Sequence, residues 1–250
     1  EPGFIRGMLG LHASFTVSDE TLRQLSAVEA PLHVHVAEGV VDQDDARSRG
    51  YGSVMERLDK LGVLRPDSII AHGVHLSDEE VNVAIERGCW FVHNPTSNRN
   101  NRVGYARPSR FGARCGVGTD GIGSDMFAAS RDLFFEARKE RHSVDIAAFL
   151  AANGAMASQL LGVKLGSLEV GSKADIVQLS YCPATEISSG NIIGHLLFGF
   201  SASDVRNVWV EGEQVVAEGK LLTVNYEELM DQSREVSSKL WDRYLIELER

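Results

Sequence analysis

The chain has 250 residues, 43% of them hydrophobic and 24% charged, with a formal net charge of -10. A chain of that length buries a sizeable core, and the composition is that of a globular protein rather than a disordered one. The acidic balance excludes a nucleic-acid or anionic-membrane surface, which would need clustered Lys and Arg, so small molecules are the expected partners. Cys89, Cys115 and Cys182 are odd in number, far apart and set in apolar runs, so they read as reduced core residues of a cytoplasmic protein. No run of about 18 apolar residues suggests a membrane span, and the opening "EPGFIRGMLG" lacks the basic-then-apolar order of a signal peptide.

From residue 7 to residue 120 one unit recurs: a short apolar run, a chemistry-bearing residue where it ends, then an amphipathic segment. The runs are "GMLGLHAS", "PLHVHVAE", "DSIIAHG", "GCWFVHNP" and "ARCGVGTDG". Helices are predicted at 18–30, 42–62, 77–88, 126–142 and 146–161, the first and third opening on a Ser-Asp pair suited to an N-cap. Between 93 and 102 the turn formers Asn94, Pro95 and Ser97 predict a long loop. After Gly162 come glycine-punctuated strands, "LGSLEVGSKADIVQLS" and "VRNVWVEGEQVVAEGKLL", with a hairpin turn at Glu211-Gly212. The last segment, 226–250, places Tyr226, Leu229, Met230, Leu240, Trp241, Tyr244, Leu245 and Leu248 on one helical stripe that should dock on its own domain or on a second subunit.

Strand-helix alternation predicts an α/β fold with a parallel sheet. His12, His35 with Glu38, His72, His93 and Asp120 each close a run, the distribution left by a (β/α)8 barrel whose site gathers at the C-terminal strand ends. A doubly wound sheet would concentrate its signal in a glycine-rich loop, and neither GxGxxG nor GxxxxGK[ST] is present. A complete barrel takes about 250 residues, yet only five units precede the change near Gly162. The expectation is therefore the C-terminal part of a TIM barrel over 1–161, a small β domain or half of one over 162–225 and a C-terminal helix over 226–250.

Strand residues alternate in direction, so His33 and His35 share a face. The pair could grip a metal together, or one could be a ligand and the other its neighbour. Glu38 lies just past the strand end, where it can reach a substrate without being a ligand. Arg99 and Arg102, in the predicted loop, offer anionic or carbonyl recognition.

"GLHASFT", "HVHVAE", "AHGVHL", "HNPTSN" and "GVGTDG", in this order, resemble strands four to eight of the amidohydrolase superfamily. Within it they look like the deaminase and triazine chlorohydrolase branch, and "HNPTSNRNNRVGY" and "GTDGIGSDM" are similar to aminohydrolases of the SsnA type. "LGSLEVGSKADIV" resembles the return into that family's small β-sandwich. The resemblance implies that His35 is the metal ligand, with no fixed duty for His33. It also implies that the HxH pair and the first three strands lie outside this sequence.

It implies further a hydrolytic deaminase of a purine, pterin or related N-heterocycle. One divalent metal, zinc or alternatively iron, would be held by His35, His72 and Asp120. Asp120 would take a proton from the attacking water, His72 would orient that water and Glu38 would protonate the ring nitrogen beside the reacting carbon. His12, His93 and Arg99 would face the substrate. Binuclear relatives bridge two metals with a carboxylated lysine at the fourth strand end, whereas the only lysine here before Asp120 is Lys60, on a predicted helix, which favours one metal. The competing readings are a chlorohydrolase or alkylamine hydrolase on the same scaffold, and a non-catalytic half-subunit that associates with a partner. A homodimer is expected for the full-length form.

Overall fold

A computed structural model describes residues 5–248, which divide into two compact units. The first holds the residues up to 172 together with 182–202, and the second holds 173–181 and those from 203 onward.

Five parallel strands frame the first unit: β1 (Leu9–Ala13), β2 (Leu32–Val36), β3 (Ile69–His72), β4 (Trp90–His93) and β5 (Cys115–Val117). Their spatial order is their sequence order. Parallel neighbours need crossover connections, and helices α1 (Asp19–Leu25), α2 (Val41–Ser48), α3 (Val54–Lys60), α4 (Asp78–Glu86) and α5 (Pro95–Asn101) lie in these connections. After β5 come α6 (Met126–Lys139), α7 (Ile146–Leu161) and α8 (Ile192–Phe198). Within the described sheet the order never reverses, unlike a doubly wound sheet at its switch point.

The faces follow from the pleat. In β2, Leu32, Val34 and Val36 are buried while His33 and His35 are not. The apolar face packs with Leu58, Ile70, Phe91, Phe111 and Leu133 in one continuous core, where Phe91 stacks on Phe111 at 4.3 Å between ring centroids. Each such side chain contributes roughly 1.5–3 kcal/mol by leaving water. The histidines are left on the other face.

Both Ser-Asp pairs cap helices as expected: Ser18 Oγ accepts from the Thr21 N–H, and Ser77 Oγ accepts from the Glu80 N–H in a reciprocal capping box. The helix predicted over 42–62 is instead two, α2 and α3, because Gly50 turns the chain at φ +89°. The segment 18–30 is helical only to Leu25. The predicted loop after β4 contains α5, with Pro95 in its first turn, where the missing N–H costs nothing. α8 has no counterpart among the predicted helices. Of the three cysteines, Cys89 and Cys115 are buried, but Cys182 is exposed in an irregular segment and is not a core residue.

The free edge of β5 is partly satisfied by a side chain. Asn153 of α7 accepts from the Val117 N–H at 3.0 Å and donates to the Val117 carbonyl at 2.9 Å, as a neighbouring strand would.

A buried cation ties the loop after β1 to α3. The Arg57 side chain, with no exposure, bonds Asp19 at 2.9 Å, the Ser14 and Val17 carbonyls at 2.6 Å each and Ser14 Oγ at 2.8 Å. Replacing it removes the donor from both carbonyls and leaves Asp19 with Tyr51, whose hydroxyl donates to its other oxygen at 2.7 Å. Arg57→Met is expected to cost about 1–3 kcal/mol of unfolding free energy, read from the urea midpoint. A cost near zero would show that water reaches these groups.

The second unit is a four-stranded sheet, β6 (Ile176–Leu179), β7 (Val205–Val210), β8 (Glu213–Ala217) and β9 (Lys220–Leu221), antiparallel throughout, followed by α9 (Tyr226–Leu248). Glu211 and Gly212, at φ +53° and +85°, make the expected hairpin turn, since two positive φ values match the twist of the flanking strands. No residue of α9 is buried, and Tyr226, Leu229, Leu240, Trp241, Tyr244 and Leu245 of its apolar stripe are exposed. The last two residues of the predicted 226–250 helix lie outside the described residues. Among the described residues no helix is long and apolar enough to cross a membrane.

Candidate active site

At the C-terminal ends of the parallel strands, side chains distant in sequence come within bonding distance. His35 is the second-last residue of β2, His72 the last of β3 and His93 the last of β4. Glu38 follows β2 by two residues and Asp120 follows β5 by three. His35 Nδ1 lies 2.8 Å from His72 Nε2. The same His72 nitrogen is 3.5 Å from Asp120 Oδ2 and 3.7 Å from Glu38 Oε2. His12 of β1 is exposed and sets its ring edge-on to His35 at 5.6 Å. His33 is also exposed, two residues before His35 on the same strand face.

Backbone strain collects at this point. Ala37, His72 and Asp120 all have left-handed φ values, 50°, 72° and 53°, a conformation that costs a non-glycine residue of order 1 kcal/mol or more. The turn before Glu38 is secured by Asp42, whose Oδ2 accepts from the Ala37 N–H at 2.9 Å.

A second layer comes from the chain after β4. Ser97 Oγ donates to Asp120 Oδ2 at 2.6 Å and Asn101 Nδ2 donates to Glu38 Oε1 at 2.9 Å. Asn98 Oδ1 lies 2.7 Å from His72 Nδ1, and Asn94 Nδ2 3.3 Å from His72 Nε2. Asn94 sits tightly against β5: a methyl group at Gly118 would fall 2.4 Å from its Oδ1. Read from the sequence, Asn94 and Ser97 are turn formers, and Asn98 and Asn101 carry no assignment. Their signal is the spacing 94, 97, 98, 101, which is one face of a helix. The outer side of α5 is tied to α6, where Asp132 accepts from Thr96 Oγ1 at 2.7 Å and pairs with Arg99 at 2.9 Å. His93 is buried, faces the Tyr105 ring, and among the described residues has no hydrogen-bond partner for either ring nitrogen.

The electrostatics fit a charged carboxylate beside neutral imidazoles. Burial raises the Asp120 carboxyl, but the Ser97 hydroxyl, the Gly121 N–H and the neighbouring His72 and His35 outweigh it, so its pKa lies below the usual value. Burial, with help from His72, holds His35 below the ordinary imidazole range against the opposing pull of Asp120 and Glu38. Burial also pushes His93 down to about 3, so it is neutral at physiological pH.

Neutral imidazole and ionised carboxylate are the donors that zinc and iron take. His35, Glu38 and His72 present ligand atoms all within 4.8 Å of one another, and Asp120 adds its oxygen beside His72. The residues fit one divalent metal. Glu38 belongs to this cluster by position, although the sequence suggested a proton donor outside the ligand set.

A model of the amidohydrolase family matches residues 1–215. The chain belongs to the amidohydrolase family. Among its relatives, a 5'-deoxyadenosine deaminase of Methanopyrus kandleri is 29% identical over 263 residues, covering 95% of this chain and 59% of that protein. A 5-methylthioadenosine/S-adenosylhomocysteine deaminase of Syntrophomonas wolfei is 30% identical over 259 residues, with the same coverage. The chain thus spans 59% of the length of each of these two relatives. A crystal structure of a Xanthomonas campestris adenosine deaminase with bound zinc superposes with a TM-score of 0.82 at 24% identity, over 94% of this chain and 57% of that one. A point mutant of atrazine chlorohydrolase TrzN of Arthrobacter aurescens, complexed with zinc and atraton, gives 0.79 at 18% identity, over 94% and 56%. These neighbours share the fold of this chain.

Asp42 makes the stability of the turn before Glu38 depend on pH. Burial raises its pKa from 3.8 to about 6. Between these values the unfolded chain releases a proton that the folded chain keeps, so stability falls as pH rises through that window. An asparagine side chain in its place would keep an acceptor for the Ala37 N–H without the buried charge. Asp42→Asn is therefore expected to flatten the fall and to be more stable by about 2 kcal/mol at neutral pH. Urea denaturation at a series of pH values tests this, and parallel profiles for the two proteins would refute it.

Proposed function

We propose that this chain carries the C-terminal part of a metal-dependent aminohydrolase, its parallel strands forming strands four to eight of a (β/α)8 barrel. The reaction is hydrolytic deamination of an adenine nucleoside with a modified 5'-position, a small N-heterocyclic substrate in the cytoplasm. The observation that carries this is the convergence of His35, His72, Glu38 and Asp120 from three strand ends. The deaminase relatives named above support the substrate class.

His35, His72 and Asp120 would hold the metal, zinc in preference to iron. When bound, it supplies the Lewis acidity that makes water nucleophilic near neutral pH. Asp120, held ionised, accepts a proton from the attacking water. His72 orients that water toward the amine-bearing ring carbon. Glu38 gives a proton to the adjacent ring nitrogen, so negative charge does not accumulate on the ring as the carbon–oxygen bond forms. The carbon–nitrogen bond then breaks, the proton taken from water passes from Asp120 to the amine, the remaining hydroxyl proton restores Glu38, and ammonia leaves behind a ring carbonyl. His12 and His93 face the substrate, the latter through nitrogens that no protein group occupies in the described residues. Arg99, expected to face the substrate, is instead paired with Asp132 on the outer side of α5. A homodimer in the full-length form would give the exposed stripe of α9 a partner.

The test is ammonia release from 5'-deoxyadenosine and methylthioadenosine by the zinc-loaded full-length form, beside chloride release from a chlorotriazine. Ammonia with no chloride supports the proposal. Chloride release alone would move the reading to a chlorohydrolase, and neither product would defeat both.

A further inference from the structure

α5 is a polar helix whose inner face carries one neutral hydrogen-bonding group for each of three chemistry-bearing side chains: Ser97 for Asp120, Asn98 for His72 and Asn101 for Glu38. The contact to His72 differs from the others because it decides which ring nitrogen has the proton. In neutral imidazole one nitrogen is a donor and the other an acceptor, and the partner of one fixes the role of the other. Asn98 Oδ1, at 2.7 Å from Nδ1, can only accept. Nδ1 must then bear the hydrogen, which leaves the Nε2 lone pair aimed at the space shared with His35, Glu38 and Asp120. Asn94 Nδ2, 3.3 Å from Nε2, is a donor and agrees with an unprotonated Nε2. His35 Nδ1, at 2.8 Å, can donate to the same lone pair.

We propose that Asn98 is a positioning residue that holds His72 in the Nδ1–H tautomer, leaving Nε2 free to act as the ligand or acceptor of the site. Asn98 touches no reacting atom and works through His72. Its own place is firm, because the inner face of α5 grips three partners while Thr96 and Arg99 tether the other side to Asp132. His72, with no side-chain exposure and a left-handed backbone, has little freedom to find another partner for Nδ1. The part of the inference that concerns catalysis rests on the deaminase reading. The part that concerns the tautomer does not.

The test is a long-range proton–nitrogen correlation spectrum of the chelator-treated protein at mildly alkaline pH, with the His72 signals assigned by their loss in His72→Gln. The wild type is expected to show His72 protonated on Nδ1, and a ring protonated on Nε2 overturns the proposal without any further variant. Asn98→Leu, similar in size but without an acceptor, is expected to move at least half of the His72 population to Nε2–H, while an unchanged tautomer overturns the proposal. Should Asn98→Leu fail to fold by circular dichroism, Asn98→Asp keeps the acceptor and is expected to retain Nδ1–H, and a switch to Nε2–H there overturns it. In the zinc-loaded protein Asn98→Leu should lower kcat by about 10–100-fold with KM unchanged, and Asn98→Asp should restore most of it. If the tautomer results hold and no nucleoside is deaminated, the functional reading fails alone. If deamination is seen and His72 is protonated on Nε2, the positioning role fails alone.

Discussion

Asp120→Asn is expected to lower kcat for deamination by about 10²–10⁴-fold while leaving the folding midpoint nearly unchanged. Both carboxylate oxygens have defined duties: Oδ1 accepts from the Gly121 N–H at 2.7 Å, and Oδ2 accepts from Ser97 at 2.6 Å while facing His72 at 3.5 Å. The amide can satisfy Gly121 through its oxygen, so the turn survives. It must then present a donor where Ser97 and His72 meet an acceptor, and it has no charge with which to hold a metal or take a proton. Because Asp120 sits at the partly exposed end of the site, the structural cost is one rearranged hydrogen bond, about 1 kcal/mol. Ser97→Ala provides the comparison, since it removes one donor and leaves the charge, and its kcat should fall far less. If Asp120→Asn kept wild-type kcat, the base would have to be sought elsewhere.

The residues legible in the sequence are those whose role is marked locally. His35, His72, His93 and Asp120 each end an apolar run, and a polar group at the end of a buried strand stands out against its neighbours. The parallel sheet is legible for the same reason, as short apolar runs alternate with amphipathic segments. What the sequence hides is the chain that supports the site. "NPTSNRNN" has no apolar stripe and begins with turn formers, so local preference favours a loop. It is helical because its inner face bonds partners 26 and 63 residues away, His72 and Glu38, whose nearness only the folded sheet creates. The break between α2 and α3 is marked by Gly50 and Gly52, and it is masked because the segments on both sides are themselves helix-forming. The exposure of Cys182 is marked by Pro183, Thr185, Glu186, Ser188 and Ser189, polar and turn-forming neighbours beyond the apolar run that ends at Leu179.

The sharper question for the chemistry is what Glu38 does, because its position allows either a proton donor or a ligand. Glu38→Gln keeps the shape and can still receive the Asn101 Nδ2 bond, 2.9 Å from Oε1 in the wild type. What it loses is the transferable proton. If Glu38 protonates the ring nitrogen, kcat for the adenine nucleoside should fall by about 10²–10⁴-fold with little change in KM. The chloro analogue needs the same proton on its ring nitrogen and should lose about as much, while zinc affinity stays at the wild-type value. A ligand role gives a different pattern: weaker zinc binding, with the lost activity recovered in part by excess zinc. Glu38 Oε2 lies 3.7 Å from His72 Nε2, while Asn101 holds the other oxygen. Oε2 is therefore the oxygen placed to move a proton, and a fall in kcat at unchanged zinc affinity in Glu38→Gln is the result that shows it does.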